Sequence, residues 1–332
     1  MRAAFYDSLG GPDVLQVGEL PTPLPGPGEV RVRVHVSAVN PSDSKRRAGW
    51  GGAVMPHARL VPHNDGSGVI DAVGTGVDGA RVGERVWVYE ATIHNAFGTA
   101  AEYVVVPASY AVRMPEGVGF DIGASLGVPA MTAHRAVFGG GPVDGRTVLV
   151  AGGAGSVGRF AVQLARWGGA QVIATAGSPA QAEVARQAGA AAVFSYRDAD
   201  LAERIEAAAK ATPSGGVDRI VEVQIGSNID VDARVIRPNG TIVSYATSDD
   251  AAERPAFPLR PLLTKGITVQ WILVYTMLQA AKDQAAADLT RALKDGAISA
   301  VVAARFPLRD IAQAHARVGV GGAGGKVLVN IR

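Results

Sequence analysis

The chain has 332 residues, no cysteine, 42 glycines and 19 prolines, with a formal charge of +2 and 48% hydrophobic residues. Lack of a thiol excludes a disulfide framework, thiolate-bound zinc or iron–sulfur centres and a cysteine nucleophile. Glycine stands at about 13% against an ordinary ~7%, yet glycine and proline together stay below the level of low-complexity disorder, so the glycines are positions in a fold and the length suits about two domains.

From residue 1 to about residue 115 the pattern is short strands and turns. Residues 30–36, VRVRVHV, alternate strictly and place four valines on one face and Arg31, Arg33 and His35 on the other, the period of a half-buried strand. Further strands are predicted at 67–73, 85–89 and 101–106, so this half reads as all-β. The densest basic cluster, Lys45-Arg46-Arg47, is three residues long, so no nucleic-acid or membrane footprint is expected. The opening MRAAFYDSLG lacks a secretory apolar run and no stretch approaches ~18 apolar residues, which predicts a cytoplasmic protein.

After Gly145 short apolar runs alternate with helical patterns, the signature of βα units and a parallel sheet. Six strands are predicted, at 147–150, 171–175, 191–194, 219–223, 241–244 and 267–274. Between the first two, Val157, Phe160, Ala161, Leu164 and Ala165 form one apolar helical face. The next helix is punctuated by Ser178 as cap, Pro179 at its first position and Gly189 beyond its end. A later helix over 277–294 is stopped by Gly296, and the chain closes on a strand at 326–331.

The first strand of this series runs into Ala151-Gly152-Gly153-Ala154-Gly155-Ser156-Val157-Gly158. Gly153, Gly155 and Gly158 satisfy GxGxxG, and Gly152, Gly155 and Gly158 equally satisfy GxxGxxG. Between a strand and an amphipathic helix such glycines let backbone N–H groups reach a pyrophosphate at the positive helix end, so Gly152, Gly155, Ser156, Val157 and Gly158 are predicted to bind a dinucleotide. NAD sites place an acid ~20 residues beyond the motif, at the ribose 2′-OH. Here no acid occurs between Gly158 and Glu183. A 2′-phosphate would instead meet the hydroxyls of Thr175 and Ser178, with Tyr196 and Arg197 after the third strand, which predicts NADPH over NADH.

Taken in order, Val39-Asn40-Pro41-Ser42-Asp43, Asp65-Gly66-Ser67-Gly68-Val69-Ile70-Asp71-Ala72-Val73-Gly74, Gly83-Glu84-Arg85-Val86, Ala101-Glu102-Tyr103, Leu126-Gly127-Val128-Pro129-Ala130-Met131-Thr132-Ala133, the glycine loop and Gly325-Lys326-Val327 make the chain resemble the quinone oxidoreductase (zeta-crystallin-like) branch of the zinc-independent medium-chain dehydrogenase/reductase superfamily. The resemblance implies an α/β architecture: a GroES-like β domain from residues 1–122 and 266–332, and a Rossmann domain with a doubly wound six-stranded parallel sheet from 123–265. It implies a homodimer or homotetramer joined through edge strands, with 267–274 as that edge.

Zinc-dependent relatives carry Cys and His-Glu where this chain has Asn40 and Asn64-Asp65, and Asn is a poor zinc ligand. No metal is therefore expected, and His57, His63 and Asp65 match no ligand spacing. His35, His94, His134 and His315 read as surface or packing residues. Without a Lewis acid, alcohol oxidation is disfavoured and hydride transfer to a quinone, or to the β-carbon of an enone or enal, is expected. By resemblance Asn40 lies beside the nicotinamide and donates to developing oxyanion charge, Thr132 lies near the carboxamide, Tyr245 ends the fifth strand where the cofactor crosses, and Lys326 lies at the C-terminal edge of the site. Asp43 and Lys45 are candidate proton donors beside solvent. Lys45 and His134 replace tyrosines common in relatives, and Gln181 replaces a lysine that helps bind the 2′-phosphate. The competing functions are a carbonyl reductase or alcohol dehydrogenase and, outside the enzymes, an RNA-binding, crystallin-like protein.

Overall fold

The computed structural model describes residues 1–93, 95–320 and 324–332, so His94 lies outside the described residues, as does part of the glycine-rich approach to Lys326. Two compact units form, one from Met1–Pro129 and Ser299–Arg332, the other from Ala130–Ile298.

The first unit is built on a sheet that is antiparallel except for the parallel pair Val302–Pro307 and Lys326–Asn330. Its path runs Val302–Pro307, Lys326–Asn330, Glu29–Val39, Asp65–Val73, Arg85–Val88, Ala111–Arg113, with Tyr103–Pro107 also paired to Glu29–Val39. The alternation predicted for 30–36 holds: Val30, Val32, Val34 and Val36 are buried. Arg31, on the opposite face, makes a paired ion contact with Asp71 at 2.9 and 3.1 Å. The strand continues to Val39, and Ser37, Ala38 and Val39 are all buried because both faces are covered there, Val39 by one apolar cluster and Ala38 by another. This half is not all-β. A helix Pro41–Arg47 follows the long strand directly, and beyond the segment read as strands the chain enters the helices Phe120–Ala124 and Gly127–Phe138. Pro41 at the first helical position makes the turn out of the strand immediate.

The second unit holds a six-stranded, all-parallel sheet. Numbered along the chain, the strands are Thr147–Val150, Gln171–Ala176, Ala192–Ser195, Val217–Glu222, Ile236–Ser244 and Thr268–Trp271, and their spatial order is third, second, first, fourth, fifth, sixth. That is the doubly wound dinucleotide-binding order, with its switch point between the first and fourth strands. Both faces are covered by helices, so the strands read as apolar runs. Leu149, Ile173, Ile220 and Ile242 pack with Ile205 and Ile229 from the covering helices. Among the described residues the sixth strand pairs only with the fifth and is an edge. The expected boundary after residue 265 falls before this strand. The compact unit runs on through helix Gln279–Lys294 to Ile298, because Thr268–Trp271 bonds in register with Thr241–Ser244.

Helix ends follow the predicted punctuation. Ser178 accepts from the Gln181 N–H at 3.3 Å, Pro179 opens the helix Pro179–Gln187, and Gly189 takes φ +109°. Gly296 takes φ +66° after Gln279–Lys294. In Ser156–Trp167 the buried face carries Phe160, Ala161, Leu164 and Ala165 as expected, but Val157 is only half-buried. Gly158 is the buried residue of that first turn. Among the described residues no helix is long and apolar enough to cross a membrane.

Candidate active site

The polar centre of the first unit is arranged around Asp65, which opens the strand Asp65–Val73 and is fully buried. Four donors converge on it. Asn40 Nδ2 donates to Oδ2 at 2.7 Å, the Val128 N–H donates at 2.9 and 3.0 Å to the two carboxylate oxygens, and Lys326 Nζ lies 3.3 Å from Oδ2. Thr99 Oγ1 donates to the Asp65 carbonyl at 2.6 Å. Gly127 permits the approach, since a Cβ there would collide with the carboxylate. Lys326, at the head of the last strand and 4% exposed, also donates to Asn40 Oδ1. A buried ammonium, a buried carboxylate and an amide thus form one closed set.

Asn40 caps the helix Pro41–Arg47, and its backbone N–H donates to Asp43 Oδ2 at 2.8 Å. Asn64 Nδ2 donates to Asp43 Oδ1 at 3.1 Å. Burial and the nearby Asp65 carboxylate push the Asp43 carboxyl up to about 7, against the pull of these donors and of Lys326. Three predicted residues, Asn40, Asp43 and Lys326, are therefore brought together. Lys45 is not among them: its ammonium lies 4.6 Å from the centre of the Trp50 ring. The amide expected to serve an oxyanion already spends one hydrogen on Asp65 and its oxygen on Lys326.

In the second unit the glycine loop joins the strand Thr147–Val150 to the helix Ser156–Trp167. Gly152 takes φ +66°, and a Cβ on Gly158 would strike the Gly152 backbone. These two glycines let the helix N-terminus close on the loop, with Ser156 and Val157 as its first residues and Gly155 exposed at the turn. Thr175 holds the loop: its Oγ1 accepts from the Gly152 N–H at 3.1 Å, and its carbonyl accepts from Gly153 at 2.9 Å. The hydroxyl predicted to meet a phosphate thus accepts from the loop and keeps its own hydrogen to donate.

Beyond the second strand lies a cavity of about 470 Å³ lined by Ser178, Arg186, Arg197, Phe194 and Ser195 among others, and no carboxylate lines it. Arg197 donates to the Gly177 carbonyl, and its guanidinium lies 5.3 Å from the centre of the half-exposed Tyr196 ring. Gln181 Oε1 accepts from the Gly177 N–H at 2.9 Å. Arg186, which the sequence does not single out, lines the same cavity, and helical spacing brings it there, since Ser178, Ala182 and Arg186 recur at intervals of four. Thr132 is buried in the helix Gly127–Phe138. Tyr245 follows the fifth strand, and burial with the neighbouring Glu222 carboxyl pushes its phenol far up. His35 stacks on Phe120 and His134 bonds to Asp288 at 2.8 Å, both packing roles.

Residues 26–116 match the alcohol dehydrogenase GroES-like domain family and residues 156–291 the zinc-binding dehydrogenase family. A quinone oxidoreductase of Pongo abelii is 30% identical over 99% of this chain and 97% of its own length. The solved structure of a mycobacterial protein complexed with NADPH superposes with a TM-score of 0.82, at 27% identity over 99% of this chain and all of that one. An NAD-dependent alcohol dehydrogenase superposes with 0.86, at 28% identity over the full length of both. A GroES-like unit, a doubly wound nucleotide unit and a full-length relative at this identity make the chain an oxidoreductase of the quinone oxidoreductase branch of the medium-chain dehydrogenase/reductase superfamily.

Proposed function

We propose that the protein is an NADPH-dependent, zinc-independent reductase of quinones or activated alkenes, acting in the cytoplasm. The observation that carries the cofactor choice is the cavity at the end of the second strand, with Ser178, Arg186 and Arg197 in its lining and no carboxylate. A 2′-phosphate is welcome in such a lining, and an acid positioned for a 2′-hydroxyl is missing. The glycine loop fits the pyrophosphate for the reason that Gly152 and Gly158 exist there: a side chain at Gly158 would fill the space where helix and loop meet.

Zinc does not fit the residues present. Asn40 and Asn64 offer amides, and the Asn40 oxygen is taken by an ammonium that already supplies the local positive charge. Among the described residues no three of His, Asp and Glu gather as a metal site. This donor chemistry supports reduction of an acceptor that needs no Lewis acid. Bound NADPH supplies the hydride. Asn40 and Lys326 then present N–H donors to charge developing on the acceptor oxygen, while Asp65 fixes both and Asp43 holds a proton near neutral pH.

The test is NADPH and NADH oxidation with a panel of quinones, enones, enals and alcohols, with products identified. We expect kcat/KM to favour NADPH at least tenfold, with turnover of quinones or enones. NADH preference removes the cofactor assignment, and turnover of alcohols alone replaces the reading with alcohol dehydrogenase.

We further propose a homodimer or homotetramer joined through the edge strand Thr268–Trp271. Trp271 and Leu273 are 58% and 52% exposed there, an apolar liability at an unpaired edge. Trp271→Asp is expected to give a folded monomer by light scattering. An unchanged assembly with this variant would move the interface elsewhere.

A further inference from the structure

Behind Asp65 lies a second buried array that no role so far has used. His63 and His315 are 0% and 1% exposed, and their Nε2 atoms are 2.9 Å apart with ring planes 22° from parallel. His63 Nδ1 lies 2.8 Å from Ser37 Oγ, Ser37 Oγ lies 2.7 Å from Thr99 Oγ1, and Ser44 Oγ lies 3.4 Å from His315 Nδ1. His63 takes φ +78°, a conformation that costs a non-glycine residue energy and persists only where its surroundings require it. Thr99 and Ala100 N–H groups hold the His63 and Pro62 carbonyls at 3.0 and 3.2 Å.

One fixed point orders the whole array. The Asp65 carbonyl can only accept, so Thr99 must spend its single hydroxyl hydrogen there. Ser37 must then donate to Thr99, and His63 Nδ1 must donate to Ser37. Burial, with each ring's charged neighbours, pushes His63 well below its usual value and His315 to about 3, so both rings are neutral. A neutral His63 that donates through Nδ1 accepts through Nε2, so His315 donates through Nε2 and accepts from Ser44 at Nδ1. The donors run one way through helix Pro41–Arg47, helix Ile311–Gly319, the segment before Asp65, strand Glu29–Val39 and the turn at Thr99.

We propose that His63 and His315 are positioning residues for Asp65, locked as the Nδ1–H and Nε2–H tautomers respectively by this single direction of donation. The inference rests on the reading of Asp65, Asn40 and Lys326 as the acceptor site. Loss of the His315 donor leaves His63 Nε2 buried without one and frees the ring that holds Ser37 and, through it, Thr99 against the Asp65 backbone; small misplacements of this kind cost rate rather than cofactor affinity.

The test uses the full-length protein labelled with 15N-histidine, with wild type compared to His315→Gln and His315→Leu. Glutamine keeps an N–H donor where His315 Nε2 was, and leucine does not. Long-range 15N–1H spectra of the wild type at pH 7.5 are expected to show His63 protonated at Nδ1 and His315 at Nε2. Either ring in the opposite tautomer, or averaging between the two, overturns the proposal. In the Leu variant kcat for quinone reduction is expected to fall roughly tenfold at unchanged NADPH KM, and in the Gln variant to recover to within about threefold. Equal kcat in all three proteins also overturns it. A wild type that reduces no quinone defeats the functional reading alone, because the wild-type tautomers of His63 and His315 still decide the inference. If the Leu variant does not fold, wild-type tautomers and the Gln variant decide.

Discussion

Lys326→Met is expected to destabilise the protein by about 3–5 kcal/mol, the range for breaking a buried ion pair from one side. The ammonium and the Asp65 carboxylate are 4% and 0% exposed, so neither is rescued by water when its partner goes. Removing the lysine also leaves Asn40 Oδ1 without its donor. The double variant Lys326→Met, Asp65→Asn is expected to recover most of the loss, because an amide needs no counter-charge. Denaturant unfolding of wild type, both single variants and the double variant measures this coupling, and additive losses would show the pair to be energetically independent. The lysine is also one of the groups that hold the Asp43 proton affinity down. In Lys326→Met the Asp43 carboxyl, about 7 in the wild type, is expected to titrate at higher pH, so any limb it contributes to kcat/KM moves alkaline.

Replacing both Arg186 and Arg197 by alanine is expected to lower kcat/KM with NADPH about 100-fold while changing that with NADH less than about threefold. Each guanidinium that meets a phosphate makes a charge-assisted bond of ~1.5–3 kcal/mol, and ~1.4 kcal/mol is a factor of ten. Arg186 has the larger expected share. Its contact with Glu183, at 3.5 Å between side chains more than half exposed, is too weak to hold it back. Arg197 is already engaged by the Gly177 carbonyl and the Tyr196 ring, so its loss also loosens the rim of the cavity. Parallel losses with both cofactors would place the 2′-phosphate elsewhere.

Local signals carried the nucleotide unit. The glycine loop, the absent acid, the cap at Ser178 and the six apolar runs are all read from neighbouring residues, and the parallel sheet forms from those same runs. The fifth and sixth strands were mis-sized, at Ile236–Ser244 and Thr268–Trp271, because sheet pairing rather than composition decides where a strand ends. The polar centre of the first unit is legible in the sequence only as residue types: Asn40, Asp43 and Lys326 stand out, whereas Asp65 reads as a displaced metal position. Its donors come from residues 25, 34, 63 and 261 positions away, and no periodicity encodes such a meeting. Thr175 has a second role for a related reason. A hydroxyl at a strand end reads as a ligand donor, and its acceptance of a loop N–H becomes visible only once the loop is folded against it. His63 and His315, 252 positions apart, gave no signal in the chain.

The last strand of the chain, Lys326–Asn330, is interior to its sheet, between Val302–Pro307 and Glu29–Val39. The ribosome delivers Asn40 286 residues before it delivers Lys326, roughly 15–60 s at ordinary elongation rates. Throughout that interval the Asp65 carboxylate has no ammonium and the long strand Glu29–Val39 lacks one neighbour. The nucleotide unit, encoded entirely between those two moments, can complete first. The amino-terminal segment must therefore outlast synthesis of the middle of the chain with an open sheet edge, a window in which chaperone capture or premature termination acts on this protein.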